Sequence, residues 1–168
     1  TALKLDQQWR PLSFSGNGKF EAAPVVFAGY GLVAPAAESI GEYDSYVHLD
    51  VQDKWVLMLR DLPQDIKPEL RQHWARYSAP RRKASIARDL GARGVIFVAG
   101  PTSGVKQELI RFDRDASQAG VSMAVVSIDN ATAAMMMQAA GKSLEEEQKG
   151  YDSREMAMGY ALAGVTIG

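Results

Sequence analysis

Gly91-Ala92-Arg93-Gly94-Val95-Ile96-Phe97-Val98-Ala99-Gly100-Pro101 is the stretch on which the fold class turns. From Val95 to Ala99 every side chain is apolar. A short run of that kind suits a strand covered on both faces, because a strand with one wet face would alternate. Immediately upstream, Pro80 to Leu90 predicts a helix. Ala84, Ala87 and Leu90 line one side of it, Ser78 is placed to cap its start, and Gly91 supplies the left-handed stop. This helix–glycine–strand unit returns in altered form downstream. Met123 to Ile128 reads as a strand, Asp129 or Asn130 caps a Met- and Ala-rich helix, and Gly141 ends it.

Working outward, Trp55-Val56-Leu57-Met58-Leu59 is a second fully apolar strand. Leu70, His73, Trp74 and Tyr77 recur at helical spacing after Pro68, which describes one face of a short helix beginning there. Val25, Val26 and Phe27 form a strand that runs into Ala28-Gly29-Tyr30-Gly31, where paired glycines indicate a sharp bend or a close approach. Ser143-Leu144-Glu145-Glu146 has the capping-box pattern for a further helix, and Met156 to Ile167 alternates loosely as a final strand. Residues 1–18 are polar and broken, with an Asn17-Gly18 tight-turn signal, and residues 34–53 read as a surface loop. Strands and helices mixed at this density predict an α/β or α+β domain.

The chain has 168 residues, enough for one domain that hides roughly 70% of its unfolded surface. Apolar residues at 46% and charged residues at 23% are ordinary globular values. A net charge of −1 argues against a polyanion binder, so no nucleic-acid partner is expected. No apolar run is long enough for a membrane span, and the first residues lack the features of a signal peptide. Any targeting segment is therefore expected to lie outside this sequence or to have been removed. Cysteine is absent, which excludes thiol chemistry and zinc–thiolate sites.

Candidate chemistry is sparse. His48-Leu49-Asp50 has the spacing of a His-x-Asp metal element, but a zinc site takes three or four ligands and the only other histidine is His73. No Gly-x-Ser-x-Gly elbow is present. Asp113 with Asp115 could be a carboxylate pair or a weak calcium set, yet no calcium loop surrounds them, and Glu145, Glu146 and Glu147 complement a helix N-terminus. Gly29-Tyr30-Gly31 lacks the residues of a phosphate loop. Between Arg60 and Arg93 nine Lys/Arg face four acids, a local excess of about five positive charges. Interleaved with Trp74 and Tyr77, that excess could hold an acidic partner or a peptide carboxylate. The alternative is a solvated helix face whose long side chains lie over the core. Met135, Met136 and Met137 point in different directions on a helix, most of them into the core.

Four stretches in order resemble one family. Pro24-Val25-Val26-Phe27-Ala28-Gly29-Tyr30-Gly31-Leu32 resembles the opening strand of protease-associated (PA) domains in secreted zinc aminopeptidases. Tyr43-Asp44-Ser45-Tyr46 through Leu49-Asp50-Val51-Gln52-Asp53-Lys54-Trp55-Val56-Leu57 is similar to the next segment of that family, with Asp53 where the family usually has glycine. Lys83-Ala84, Ala87 and Gly91 to Phe97 resemble its helix and following strand. Ala119-Gly120-Val121 through Val126-Ser127-Ile128, with the helix ending at Gly141-Lys142-Ser143-Leu144, resembles the segment leading back to the peptidase.

The resemblance implies an α/β, β-rich domain, a PA-like swivelling β/β/α sandwich or open barrel with flanking helices. It further implies an N-terminal extension or junction over residues 1–18, a PA domain over 19–155, and a strand over 156–168 leading back to a peptidase domain. Such a domain is non-catalytic and forms a lid that shapes substrate access or meets other proteins. Its partners would be the catalytic domain of its own polypeptide and a peptide or protein substrate. It would hold no cofactor, the two zinc ions belonging to the parent catalytic domain, and it would work outside the cytoplasm, secreted or periplasmic. Tyr30, Trp74, Arg81 and Arg82 are the residues expected to meet a partner. Two other readings stay open: a free-standing extracellular peptide-binding module, and a small α/β hydrolase with its site at strand ends near Gly29 or Gly100.

Overall fold

A computed structural model describes residues 2–113, 120–153 and 158–168. In chain order the strands are β1 (Trp9–Pro11), β2 (Ala23–Phe27), β3 (Val33–Ala34), β4 (Tyr43–Asp44), β5 (Trp55–Leu59), β6 (Gly94–Val98), β7 (Ala124–Ile128) and β8 (Tyr160–Ile167). The helices are α1 (Pro68–Ala75), α2 (Pro80–Asp89), α3 (Asn130–Ala139) and α4 (Leu144–Asp152). The protein is thus a mixed α/β fold with a β-rich core and flanking helices.

Six strands form one open sheet in the order β1-β7-β6-β5-β2-β8. Its centre, β2, β5, β6 and β7, is parallel, and β1 and β8 close the two sides antiparallel. Period-two geometry sends alternate side chains to opposite faces. Val25, Phe27, Leu57, Ile96 and Val98 enter one core, which α1, α3 and α4 cover through Leu70, Trp74, Met137 and Tyr151. Val26, Val56, Met58, Val95 and Phe97 enter the other, covered by Ala84 and Ala87 of α2 together with Leu12, Phe14, Tyr46 and Met123. Cores on both faces explain why β5 and β6 are apolar throughout.

The helix starts use proline more than capping side chains. Pro68 and Pro80 each occupy a first-turn position, and neither α1 nor α2 has a side-chain cap. Ser78, expected to cap α2, instead donates through Oγ to the Ala75 carbonyl at the end of α1, 3.0 Å away. Asp129 caps α3 by accepting from Thr132 N at 2.8 Å. Ser143 caps α4 by accepting from Glu146 N at 3.4 Å. The stops of α2 and α3 are matched. Gly91 (φ 89°) and Gly141 (φ 74°) both take the left-handed conformation. Their amides bond Arg88 O and Gln138 O, and the next amides, Ala92 and Lys142, reach back to Ala87 O and Met137 O. That is a Schellman pattern at each end.

Four local expectations change. The polar, broken start contains β1, whose Trp9 and Pro11 pair with Ile128 and Val126, and Leu12 and Phe14 are buried beyond it. Apolar residues scattered singly among polar ones leave no periodic trace of a three-residue strand. Asn17 does not take positive φ, so no type I′ turn forms there. Residues 34–53 are less superficial than expected: β3 pairs with β4, and Tyr46 and Val51 are buried. The expected final strand begins at Tyr160; residues 156 and 157 lie outside the described residues.

Candidate functional site

Parallel strands that end on one side gather their following loops at that edge. Here the loops after β2, β5 and β6 bring Tyr30, Gln64 and Thr102 to the last turns of α4, which supply Gln148 and Asp152. Asp152 is buried and takes three donors: Tyr30 Oη at 2.6 Å and Gln64 N at 3.0 Å on Oδ1, and Thr102 Oγ1 at 2.8 Å on Oδ2. Gln148, fully buried, accepts from Thr102 N at 3.1 Å and donates weakly to Tyr30 Oη at 3.5 Å. Burial, reinforced by the Asp152 carboxylate, pushes the Tyr30 phenol well above its ordinary range.

Beside this network lies Lys83 of α2, also fully buried. Its Nζ donates to Asp61 O at 2.8 Å and Leu59 O at 3.3 Å, and stands 5.9 Å from the centre of the Tyr30 ring. Burial pulls its ammonium down to about 7, against a weaker upward pull from the Asp61 carboxylate.

A groove of about 1000 Å³ runs between the segment around β4 and α1. Tyr43 and Trp74 pack in its wall with ring centroids 4.6 Å apart and planes tilted by 43°, and Tyr151 lines it from α4. Tyr151 fits because Gly29 has no side chain: a Cβ there would come within 2.2 Å of the Tyr151 ring. Val47 and Met158, each 51% exposed, stand along the groove.

The four residues expected to meet a partner do not share one surface. Tyr30 and Trp74 are buried, Tyr30 in the strand-end network and Trp74 in the groove wall. Arg81 lies over Phe14 with its guanidinium carbon 5.5 Å from the ring centre, while Arg82 lies over Tyr77 at 4.8 Å. These rings belong to opposite cores, so the two arginines diverge. The basic stretch disperses likewise. Arg60 and Arg71 donate to backbone carbonyls, Arg88 pairs with Asp89, and Arg93 approaches Glu21 and Asp53.

His48 and Asp50 are exposed, and Asp50 pairs with Lys54. His73 is buried, with Nε2 2.8 Å from the Pro35 carbonyl oxygen. Among the described residues no three His, Asp or Glu side chains gather in a metal-holding group. Asp113 is exposed, and Asp115 lies outside the described residues. Met137 is in the core, Met136 packs against it, and Met135 is exposed. Among the described residues no helix is long and apolar enough to cross a membrane.

Sequence reasoning missed Lys83, Gln148 and Asp152 as a buried polar set, and the groove. Lys83 sits in a basic run, and Gln148 and Asp152 in a polar helix, so their composition reads as solvated. No family model matches the chain, and no curated protein matches it.

Proposed function

We propose that this chain is a non-catalytic protease-associated module that works beside the zinc aminopeptidase domain of its own polypeptide, outside the cytoplasm. It acts there as a lid that governs which peptides reach the metal, or as a contact for peptide or protein substrate. The observation that carries this reading is the saturation of Asp152. The buried carboxylate at the strand ends, where α/β proteins usually keep their chemistry, is spent on Tyr30, Gln64 and Thr102. With three donors on its two oxygens, this carboxylate has few lone pairs left to reach a substrate. The ordered motifs support the family, and Asp53 adds to that support. It takes a left-handed φ of 56°, the conformation for which glycine is suited at that position of the resembling segment.

The competing reading, a small hydrolase, draws on the same gathering of Tyr30, Thr102, Gln148 and Asp152 near Gly29 and Gly100. One set of assays separates the two. Offered aminoacyl-nitroanilides with and without added zinc, and an ester and phosphatase panel, the chain is expected to release no product above buffer. Turnover that disappears in Asp152→Asn would establish the hydrolase instead. Stoichiometric zinc with nitroaniline release would sink the lid reading outright. Continuation of the reading frame into a Gly-Ala-His-x-Asp-Ser stretch after residue 168 is the expected genetic context.

A further inference from the structure

Tyr151 is only 5% exposed, and its buried Oη has no hydrogen-bond partner among the described residues. An unpaired phenol of this kind costs about 1–3 kcal/mol, and an acceptor supplied from outside would recover much of it. Tyr151 lines the groove between the β4 segment and α1, whose walls offer the Tyr43 and Trp74 rings and the exposed Val47 and Met158. The charge along this groove has one dominant sign. Among the described residues, Glu42, Asp44 and Glu69 line it against Lys67, a balance of −2 with His48 neutral. Asp44 accepts from Tyr46 N, whereas Glu42 and Glu69 form no ion pair with any described residue.

We propose that this groove binds an extended cationic peptide, an apolar side chain flanked by Lys or Arg, with a backbone carbonyl of the peptide accepting from Tyr151 Oη. The apolar side chain covers the Val47–Met158 rim, and the flanking cations meet Glu42 and Glu69. A volume of about 1000 Å³ sits at the upper end of ligand clefts and suits a few residues of peptide. The inference rests on the peptide-contact role proposed above and adds a place and a charge preference to it.

The test is calorimetry on the full chain with two blocked peptides, acetyl-Lys-Leu-Lys-Val-Lys-amide and its Glu-for-Lys counterpart. The cationic peptide is expected to bind one to one at low salt, and the acidic peptide not to bind. A Glu42→Gln/Glu69→Gln chain should lose about tenfold in affinity, and added salt should produce a similar loss in the parent chain. Tyr151→Phe keeps the ring and should weaken binding about fivefold without lowering the melting temperature, since it deletes an unpaired buried group. A purely structural Tyr151 would leave affinity unmoved. The proposal is overturned by no binding of the cationic peptide, by equal binding of the acidic one, or by variants that bind as the parent does. Such a failure with no peptide cleaved leaves the lid reading standing. Cleavage of either peptide sinks the lid reading itself.

Discussion

Lys83 is the residue whose energetics are least like those of its neighbours. Among the described residues no side-chain carboxylate lies within ion-pair distance of it, and its charge is held by two backbone carbonyls and the face of an aromatic ring. The folded state therefore disfavours the protonated form, with a pKa near 7 against 10.5 in a free chain. The sign follows from proton counting. Below about pH 7 both states hold the proton and the cost of burial is full. Between about 7 and 10.5 the unfolded chain binds the proton and the folded chain does not, so stability rises with pH. The stability of the parent minus that of Lys83→Met should climb across this window, by at most about 1.4 kcal/mol per pH unit. Urea titrations at pH 7, 8 and 9 measure it. A difference that stays flat would mean Lys83 keeps its proton throughout.

At the scale of elements, α4 is a clasp. Leu144 and Tyr151 bury its apolar side, and Gln148 and Asp152 tie its other buried positions to loops after three different strands. The helix covers the end of the sheet at which the loops after β2, β5 and β6 gather. Removing the carboxylate in Asp152→Ala leaves the Tyr30 phenol, the Thr102 hydroxyl and the Gln64 amide unsatisfied. The expected cost is about 3 kcal/mol in urea denaturation, with the urea dependence unchanged. A loss below about 1 kcal/mol would show that the network is dispensable. The two side strands of the sheet are guarded differently. β1 is three residues long and carries Pro11. β8 is eight residues long but breaks register against β2 between Pro24 and Val25, with Gly164 at φ 78°. Both devices blunt edge-to-edge pairing.

For the molecule as a whole, the two cores share one sheet, so neither can be lost without the other. Leu12 and Phe14, 3% and 6% exposed, belong to the second core and reach it through β1. Deleting residues 1–16 removes both, about 3–6 kcal/mol of burial, along with the β1–β7 pairing. Against the 5–15 kcal/mol typical of a folded domain, that loss is large. The shortened chain is expected to lose its cooperative thermal transition, as followed by circular dichroism. A sharp melt within a few degrees of the parent would make residues 1–16 an appendage.

What the sequence determined by itself is local. Apolar runs at β5 and β6, prolines opening α1 and α2, a cap at Asp129 or Asn130 and another at Ser143, and Gly91 and Gly141 as stops all act through a few neighbouring residues. Their signals survive in one dimension. What only the tertiary structure decided depends on partners far apart in the chain. Tyr30, between two glycines and expected to meet a partner, is instead a buried donor to Asp152, which lies 122 positions away in the chain. Arg81 and Arg82 looked like one basic patch, and part because adjacent helix positions face different cores. The groove has no sequence signature at all, since residues from the β4 segment, α1 and α4 meet there only after the sheet has set their distance. Burial and long-range pairing are properties of the packed chain, and no window of sequence contains them.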